Sequence, residues 1–596
     1  MKLVMATIHL EESTRAVPLA AACLKAEAEP KHEVVLLDFT LDHSADEIAA
    51  GLLEVEDCQC IGFPVYLWNR QLVLDVIGLL RQSRPDLPLI AGGPDVTAAP
   101  AAFLENSGVD LVMQGEGEEL ITPVLDALEG GLPVPDLPGL SSRAHHSPVS
   151  AFCRDINTLQ SPILSGALDL SKNRGLLWEL SRGCPFACEF CFESKGSGRV
   201  RTFSSERIRA ELEAIREGGI EQVFVLDPTF NVNRERVLSI LEWIAELTPK
   251  TYYYFEIRTE FLDQETTEAF ASVPCTLQIG LQSASPSVLK TINRKFNPRE
   301  FRDKTALLGE AGVSFGLDLI YGLPGDTLQG FRDSINYALS LEPNHLDLFP
   351  LAVLPGTALY DRRKELMITA EASDPYLVQE TPDFPPADLE RAAALSRACD
   401  FLYNRNRGIS WLSRVCYDLD LSGADLTERW LQAGWTDSEE SENLKTFLKD
   451  QYNVQGKGEL YPVIEDMLDY LDLLEDLEAG ENSTTPEEQI SLSDDTLLSL
   501  HSSCRIKTLH IHPAVVTAGF PGASEDLLTE AGEFRTLFWL RDFELCVDLL
   551  TEDEISVLNL LQKDGISYGE LQRTSSLNEM NEFLISGILE AWLQIS

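Results

Sequence analysis

The sequence predicts an α/β chain of several domains, and three observations predict it. Short β-rich runs alternate with amphipathic helical patterns over roughly the first 130 residues, a second alternation of the same kind starts at GLLWELS, and acid-rich helical segments take over from about residue 365. Strands alternating with helices at this spacing form parallel sheets with helices packed on both faces. At 596 residues the chain is also too long for one hydrophobic core, since cores stop growing at about 250–300 residues. The reading that follows is a doubly wound sheet over residues 1–135, a linker over 136–171, a (β/α)6 partial barrel over 172–365 and a mainly α-helical region over 366–596.

In the first region the runs KLVMATI, EVVLLDF, CIGFPVY, LPLIAGG and LVMQG read as strands, and AVPLAAACLKAEA, ADEIAAGLLEV, LVLDVIGLLRQS, PAAFLENS and ELITPVLDAL as the helices between them. Doubly wound sheets bind ligands beyond the carboxyl ends of their strands. Two loops at those ends are glycine-rich: Gly92, Gly93 and Pro94 follow one strand, and Gly115, Glu116, Gly117 and Glu118 follow the next. Glycine lets backbone approach a ligand closely, although ordinary turn chemistry uses the same residues. The next stretch, with LPVPDLPGLSS and SPILSG, lacks a period and reads as the linker.

The second alternation runs through GLLWELS, a helix from about Ser205 to Glu217 closed by Gly218 and Gly219, QVFVLDP, RVLSILEWIAEL, TYYYFEIR, TLQIGLQS, FRDKTALLGEAG, VSFGLDLIYG, FRDSINYALSL and HLDLFPLAVL. Six strands, nearly all followed by helices, make a partial barrel. Beyond it, LYPVIEDMLDYLDLLEDLEAGENSTTPEEQ is helical and acidic, and the end of the chain, from TEDEISVLNLL onward, has the rhythm of a small winged-helix domain. Basic residues that would suit that end to DNA are scarce, so packing or a lid is the expected role. The strand His510-Ile-His512 and the run FWLRDF (538–543) read as packing.

Lys plus Arg number 47 against 96 Asp plus Glu, a net charge of −49 that would repel phosphate backbones and argues against nucleic acid as substrate. Uniformly acidic proteomes carry similar charge, so the balance excludes more than it identifies. The N-terminal MKLVMATIHLEEST is neither a signal nor a transit peptide, and no apolar stretch approaches the roughly 20 residues of a membrane span. Twelve cysteines, sparse and irregular, fit a reducing cytoplasm rather than a disulfide framework.

Three of them are grouped. Cys184-Pro-Phe-Ala-Cys188-Glu-Phe-Cys191 follows directly on the strand LLWELSRG. Soft thiolates at this density select zinc or an iron–sulfur cluster, and a structural zinc normally needs a fourth Cys or His, which is not nearby. Three thiolates on a four-iron cluster leave one iron open to a small molecule.

This CxxxCxxC motif, with Phe190 before the third cysteine and a six-unit partial barrel around it, resembles the radical S-adenosylmethionine (SAM) superfamily. The resemblance implies a [4Fe–4S] cluster on Cys184, Cys188 and Cys191 whose open iron binds SAM, and SAM contacts at Phe190, Glu256, Arg258, Gln282 and Ser283. The family's usual Gly-Gly-Glu run is replaced here by Asp227-Pro-Thr-Phe-Asn231, so Asp227 or Thr229 is expected to substitute. A doubly wound sheet ahead of the core is similar to the cobalamin-binding class of the superfamily, which makes the first domain Rossmann-like and implies cobalamin contacts at Tyr66, Trp68, Asn69, Arg70, Gly92, Gly93, Pro94, Gly115, Glu116, Gly117 and Glu118. The Asp-x-His-x-x-Gly motif that supplies a lower axial histidine is missing around His9, and the loop Tyr66-Leu67-Trp68-Asn69-Arg70 is expected to present Trp68 to the lower cobalt face instead.

Methylation of an unactivated carbon in a small-molecule or natural-product substrate is the implied activity, with a flavodoxin or ferredoxin as reductant. Ring formation, rearrangement or oxidation with the same cofactors stays open, as does a cofactor-binding sensor or interaction protein. Sulfur insertion would need a second cluster, for which Cys58 and Cys60 are too isolated. No residue stands out as a general base.

Overall fold

Apolar residues at nearly every position of the central strands build the first sheet. In the computed structural model its elements are β1 (Lys2–His9), α1 (Leu19–Ala28), β2 (Glu33–Thr40), α2 (Ala45–Leu53), β3 (Cys60–Pro64), α3 (Arg70–Ser83), β4 (Leu89–Gly92), α4 (Pro94–Ala98), α5 (Pro100–Ser107), β5 (Leu111–Met113), α6 (Glu118–Glu129) and β6 (Leu140–Ser142). The strand order is β2-β1-β3-β4-β5-β6, parallel except for β6, which runs antiparallel to β5. Alternation along β1 divides its side chains between two cores. Val4, Ala6 and Ile8 pack with Ile48, Leu52, Val73, Ile77 and Phe103 of α2, α3 and α5, whereas Leu3 and Met5 pack with Ala21, Leu120, Ile121 and Val124 of α1 and α6. Strand order reverses between β1 and β3, the position where such sheets open a ligand crevice.

Residues 136–171, expected as a linker, instead supply β6 and fold against the sheet, with Leu140 and Ser141 buried. Proline and glycine mask the strand signal here because only three residues pair.

The second sheet comprises β7 (Gly175–Trp178), β10 (Gln222–Val225), β11 (Tyr252–Ile257), β12 (Cys275–Gln282), β13 (Ser314–Tyr321) and β14 (His345–Pro350), all parallel in the order β14-β13-β12-β11-β10-β7. Between β7 and β10 lie the two-residue strands β8 (Ser181–Arg182) and β9 (Arg201–Thr202), paired antiparallel, and α7 (Ser205–Gly218). The remaining helices are α8 (Arg234–Leu247), α9 (Gln264–Ala271), α10 (Pro286–Thr291), α11 (Pro298–Glu310), α12 (Leu328–Leu339) and α13 (Ala358–Arg362). Along β12, Leu277, Ile279 and Leu281 are buried while Thr276, Gln278 and Gly280 are half-buried. That alternation gives the sheet an apolar face and a polar face, and removing one of the buried leucine side chains would cost about 2–5 kcal/mol. The sheet has edges at β14 and β7, so the barrel is partial.

The structure describes residues 1–193, 198–435, 441–478, 497–501, 503–519, 531–541, 544–561, 566–574, 583–584, 586–587 and 593–595. The chain separates into two units, Met1–Ala393 and Ala394–Ser596. The first therefore continues past residue 365, through β15 (Thr369–Ala370) and β16 (Val378–Glu380) into α14 (Pro386–Cys399).

In the second unit α15 (Leu412–Leu419), α16 (Gly423–Gln432), α17 (Ser441–Val454) and α18 (Tyr461–Glu478) form the helical part. Trp430 is the centre of its core, stacked on Phe401 at 5.0 Å and edge-on to Phe447 at 5.1 Å. Two three-stranded sheets follow, so strands accompany the helices of this region. His510 bonds to Asp466, and Phe538 and Trp539 are buried packing residues, as read from the sequence, while 542–543 of that run lie outside the described residues. The winged-helix-like end also falls partly outside them. Its described part packs Val557, Leu558, Leu561, Tyr568, Leu571 and Leu593 into one cluster with Leu498 and Trp539.

Candidate active site

The grouped thiols follow the carboxyl end of β7, and buried polar contacts fix how the chain leaves that strand. The Asp227 carboxylate, on the loop after β10, accepts the Leu180 and Ser181 N–H groups at 2.8 and 2.9 Å and the Ser181 hydroxyl at 2.5 Å. Its oxygens thus shape the entry to the thiol loop. Cys184 lies near the Thr229 hydroxyl and the Phe186 N–H, and burial pushes its thiol up. Cys188 is buried, and the Cys191 N–H donates to its carbonyl at 3.2 Å. Cys184 and Cys188 carry free thiols.

The segment after α10 holds this loop from the side. Asn293 donates to the Ala187 carbonyl at 2.9 Å, and the Glu189 N–H donates to the Ile292 carbonyl at 3.0 Å. Arg362 of α13 binds the Glu189 carboxylate at 2.5 Å. Two guanidinium groups converge on Cys188. Arg294 places Nη1 3.9 Å from its Sγ and donates through Nη2 to the Gly280 carbonyl, while Arg258, ion-paired with Glu260, lies 3.8 Å over the Phe186 ring and close enough for its charge to act on the same sulfur. Burial lowers the pKa of Arg294, Arg258 adds to that, and the Cys188 sulfur opposes it. This donor set, three soft sulfurs with cationic groups beside one of them, fits an anionic iron–sulfur cluster. Among the described residues no three ligands already stand as a closed metal cage.

Phe190 is half-buried on the same loop. Thr229 donates to the Pro228 carbonyl at 2.7 Å and also faces Cys184. Asn231 makes a reciprocal pair with the Arg258 backbone, accepting its N–H at 3.0 Å and donating to its carbonyl at 2.8 Å, which ties the end of β11 to the loop after β10. Gln282 has φ +61°, a left-handed conformation costly for a side-chain-bearing residue, and its buried Oε1 has no partner. A buried acceptor without a partner on strained backbone calls for an explanation, and a ligand's donor group is one. Ser283 is fully buried beside Ser334, and its hydroxyl accepts the Ser285 N–H at 3.1 Å.

Glu256 is exposed on the polar face of the sheet, with Gln278, Asp318 and Asp347 on neighbouring strands. Gln278 hydrogen-bonds to Asp318, whose carboxyl is pushed up to about 7, first by burial and then by Asp347 and Glu256. Sequence reading missed Arg294 and Asp318. An arginine in a loop and an acid inside a β run carry no local signal; the pairings that bring them to the site are long-range.

The first sheet presents its own set at the carboxyl ends. Gly93 has φ +109°, and a Cβ there would overlap the Val65 carbonyl oxygen and stand 3.0 Å from the Val65 nitrogen. Gly115, at φ +82°, is pressed equally against Ala151. Both glycines are demanded by these close approaches. Tyr66 and Trp68 stack at 4.5 Å with planes 4° apart, and Trp68 remains 44% exposed with its indole N–H donating to the Ile8 carbonyl at 3.4 Å. Leu10, Leu41 and Trp68, following β1, β2 and β3, are all exposed. Bare apolar side chains at three successive strand ends fit the face of a flat, largely apolar macrocycle.

Other residues expected there have different partners. Asn69 is fully buried and spends its amide on the Ile8 and Pro64 carbonyls and the Tyr66 N–H. Arg70 is ion-paired to Asp95. Glu116 and Glu118 pair with Arg201 and Arg182 of β9 and β8. These partners share one cause: a loop satisfies its buried polar groups within the fold. His9 is bonded to Asp38 at 3.0 Å.

Comparison with known proteins agrees with this geometry. The B12 binding domain model matches residues 1–125 and the Radical SAM superfamily model matches residues 178–338. The chain therefore carries a B12-binding domain followed by a radical SAM domain, which imply cobalamin in the first and a [4Fe–4S] cluster with SAM in the second. Its relatives include the cobalamin-dependent radical SAM methyltransferase TokK of Streptomyces tokunonensis, 29% identical over 57% of this chain and 54% of that protein. The 2-(S-pantetheinyl)-carbapenam-3-carboxylate methyltransferase of Streptantibioticus cattleyicolor is 29% identical over 57% and 54%. The chain thus spans about half the length of the curated relatives it matches. Among solved structures, the cobalamin-dependent SAM radical enzyme OxsB with aqua-cobalamin bound aligns with a TM-score of 0.55 at 17% identity over 80% of each chain, a likeness of fold.

Proposed function

We propose that this protein is a cobalamin-dependent radical SAM methyltransferase acting on an unactivated carbon of a small molecule, in the cytoplasm, with a flavodoxin or ferredoxin as reductant. The observation that carries the reading is that one compact unit holds a three-thiol loop flanked by arginines together with a glycine-cut, apolar sheet edge suited to a corrin. When bound, the cluster with SAM supplies a carbon-centred radical and cobalamin supplies a transferable methyl group.

The chain's own residues bind and orient. Cys184, Cys188 and Cys191 would hold three irons, and Arg258 and Arg294 offset the negative charge gathered at Cys188. Phe190 and the Gln282 amide would contact SAM, and Glu256 offers a carboxylate on the polar face of the sheet. Gly92, Gly93, Pro94, Gly115 and Gly117 would border the corrin in tight turns, and Trp68, stacked on Tyr66, would offer it an apolar ring. Among the described residues no helix is long and apolar enough to cross a membrane, and the acidic surface disfavours nucleic acid as substrate.

Anaerobic incubation of the reconstituted enzyme with SAM, reductant and candidate substrates tests the proposal. Methylation yields both S-adenosylhomocysteine and 5′-deoxyadenosine and a product heavier by one methyl group. Formation of 5′-deoxyadenosine alone from cobalamin-loaded enzyme, with a product lacking that mass, would point instead to ring formation or oxidation.

A further inference from the structure

The thiol loop is closed at its neck by β8 and β9, where Arg182 stands directly opposite Arg201. Two like charges facing each other across an antiparallel pair repel, so this neck needs anions to stay shut. Two of these anions come from the other domain, Glu116 in the loop after β5 and Glu118 at the start of α6. Glu116 grips Arg201 with a two-pronged contact, Oε1 to Nη2 at 2.5 Å and Oε2 to Nη1 at 2.9 Å, and lies 3.8 Å from Arg182. Glu118 takes the Arg182 Nη2 at 2.6 Å. Glu179, preceding the loop, takes its Nε at 2.9 Å.

The side chains of Arg182, Arg201 and Glu118 are each 12% exposed or less, so these pairs are shielded from the solvent that weakens surface ion pairs. Glu116 also accepts the Cys153 N–H at 2.8 Å, and Arg201 lies 3.9 Å over the Phe152 ring, which leaves the fork little room to shift. The preceding Gly115 N–H donates to Thr97 in α4 at 2.9 Å, so the same loop is tied to the turn that follows β4. A continuous chain of contacts thus runs from the Gly92–Gly93 turn, through Thr97 and Gly115, to the neck of the thiol loop.

We propose that Glu116 and Glu118 are positioning residues that clamp the neck of the thiol loop, so that the B12-binding domain sets where Cys184, Cys188 and Cys191 stand. The inference rests on the cluster assignment made above, but its structural core can be tested without any cofactor. The full chain carrying Glu116→Gln and Glu118→Gln together keeps size and polarity while removing both charges. Hydrogen exchange in the cofactor-free protein should speed up at least about tenfold in peptides covering 180–193 and 199–204, with peptides of β1 and β3 unchanged. After anaerobic reconstitution the same variant should hold less iron, or show a shifted electron paramagnetic resonance spectrum of the reduced cluster.

Arg201→Lys, which keeps the charge but cannot form the fork, should give a smaller change in the same direction, and it serves as the test if the double variant does not fold. Unchanged exchange at the neck in the folded variant, or loosening spread evenly over the first sheet, would overturn the clamp. A wild-type chain that takes up neither iron–sulfur cluster nor cobalamin would overturn the proposed function and leave the exchange result to judge the clamp by itself.

Discussion

Replacing Gly93 by alanine should open the cobalamin edge of the first sheet. At φ +109° and ψ 173° the residue occupies a region open essentially to glycine alone, which costs an alanine about 1–3 kcal/mol. Its Cβ would overlap the Val65 carbonyl and sit 3.0 Å from the Val65 nitrogen, the same N–H that donates to the Gly92 carbonyl at 2.7 Å. Pushing the two loops apart to relieve the overlap sacrifices that hydrogen bond, roughly another 1 kcal/mol. The combined local cost is about 3 kcal/mol, or roughly a hundredfold in an opening equilibrium. Gly131→Ala is the control, because Gly131 also has positive φ, +58°, but a Cβ there meets nothing within 4 Å. Hydrogen exchange in the full chain, followed in peptides covering 60–66 and 89–98, should show that hundredfold loss of protection for Gly93→Ala. The absorbance of hydroxocobalamin retained after desalting should fall with it. If Gly93→Ala is no worse than Gly131→Ala in both measurements, steric exclusion at this turn is not what shapes the site.

Asp227→Ala leaves the Leu180 and Ser181 N–H groups buried without an acceptor, a loss of about 3 kcal/mol, and should reduce iron and sulfide bound per chain, with Asp227→Asn intermediate. Asp318, raised to about 7 by folding, keeps a proton in the folded chain that the unfolded chain releases. Wild-type stability should therefore fall relative to Asp318→Asn as pH rises from about 4 to 7 and stay constantly lower above that; about three pH units would set a ceiling near 4 kcal/mol, reduced to about 1–2 kcal/mol by solvent reaching the carboxyl. Urea midpoints of the two cofactor-free proteins at pH 5 and pH 8 measure it, and equal differences at both pH values would refute a perturbed Asp318. Arg294→Gln removes a positive charge beside Cys188 and should make the reduced cluster harder to form; a change of about 1 kcal/mol corresponds to roughly 45 mV toward negative potential, read by redox titration.

Much of this site is legible in the sequence because its signals are local. Cys184, Cys188 and Cys191 announce themselves by spacing, and Gly93 and Gly115 by following apolar runs, since one turn of chain decides whether a thiol loop or a tight approach can form. Less legible are the partners that strand-end side chains find within the fold. Asp227, Asn69 and Ser283 sit at strand ends like ligand-binding residues do, yet their polar atoms meet the backbone and side chains of neighbouring segments. Residues 136–171 look like a linker because the three residues of β6 carry no detectable period.

Local pattern alone therefore determines the two alternating β/α regions, the three-thiol loop and the glycine turns, because hydrophobic period, ligand spacing and backbone freedom act over a few residues. Tertiary structure decides who faces whom. It brings Arg294 to Cys188 from 106 residues away and Glu116 to Arg201 across 85. Charges at such separations find their partners only when sheet order and strand register are set, and those depend on the packing of the whole unit.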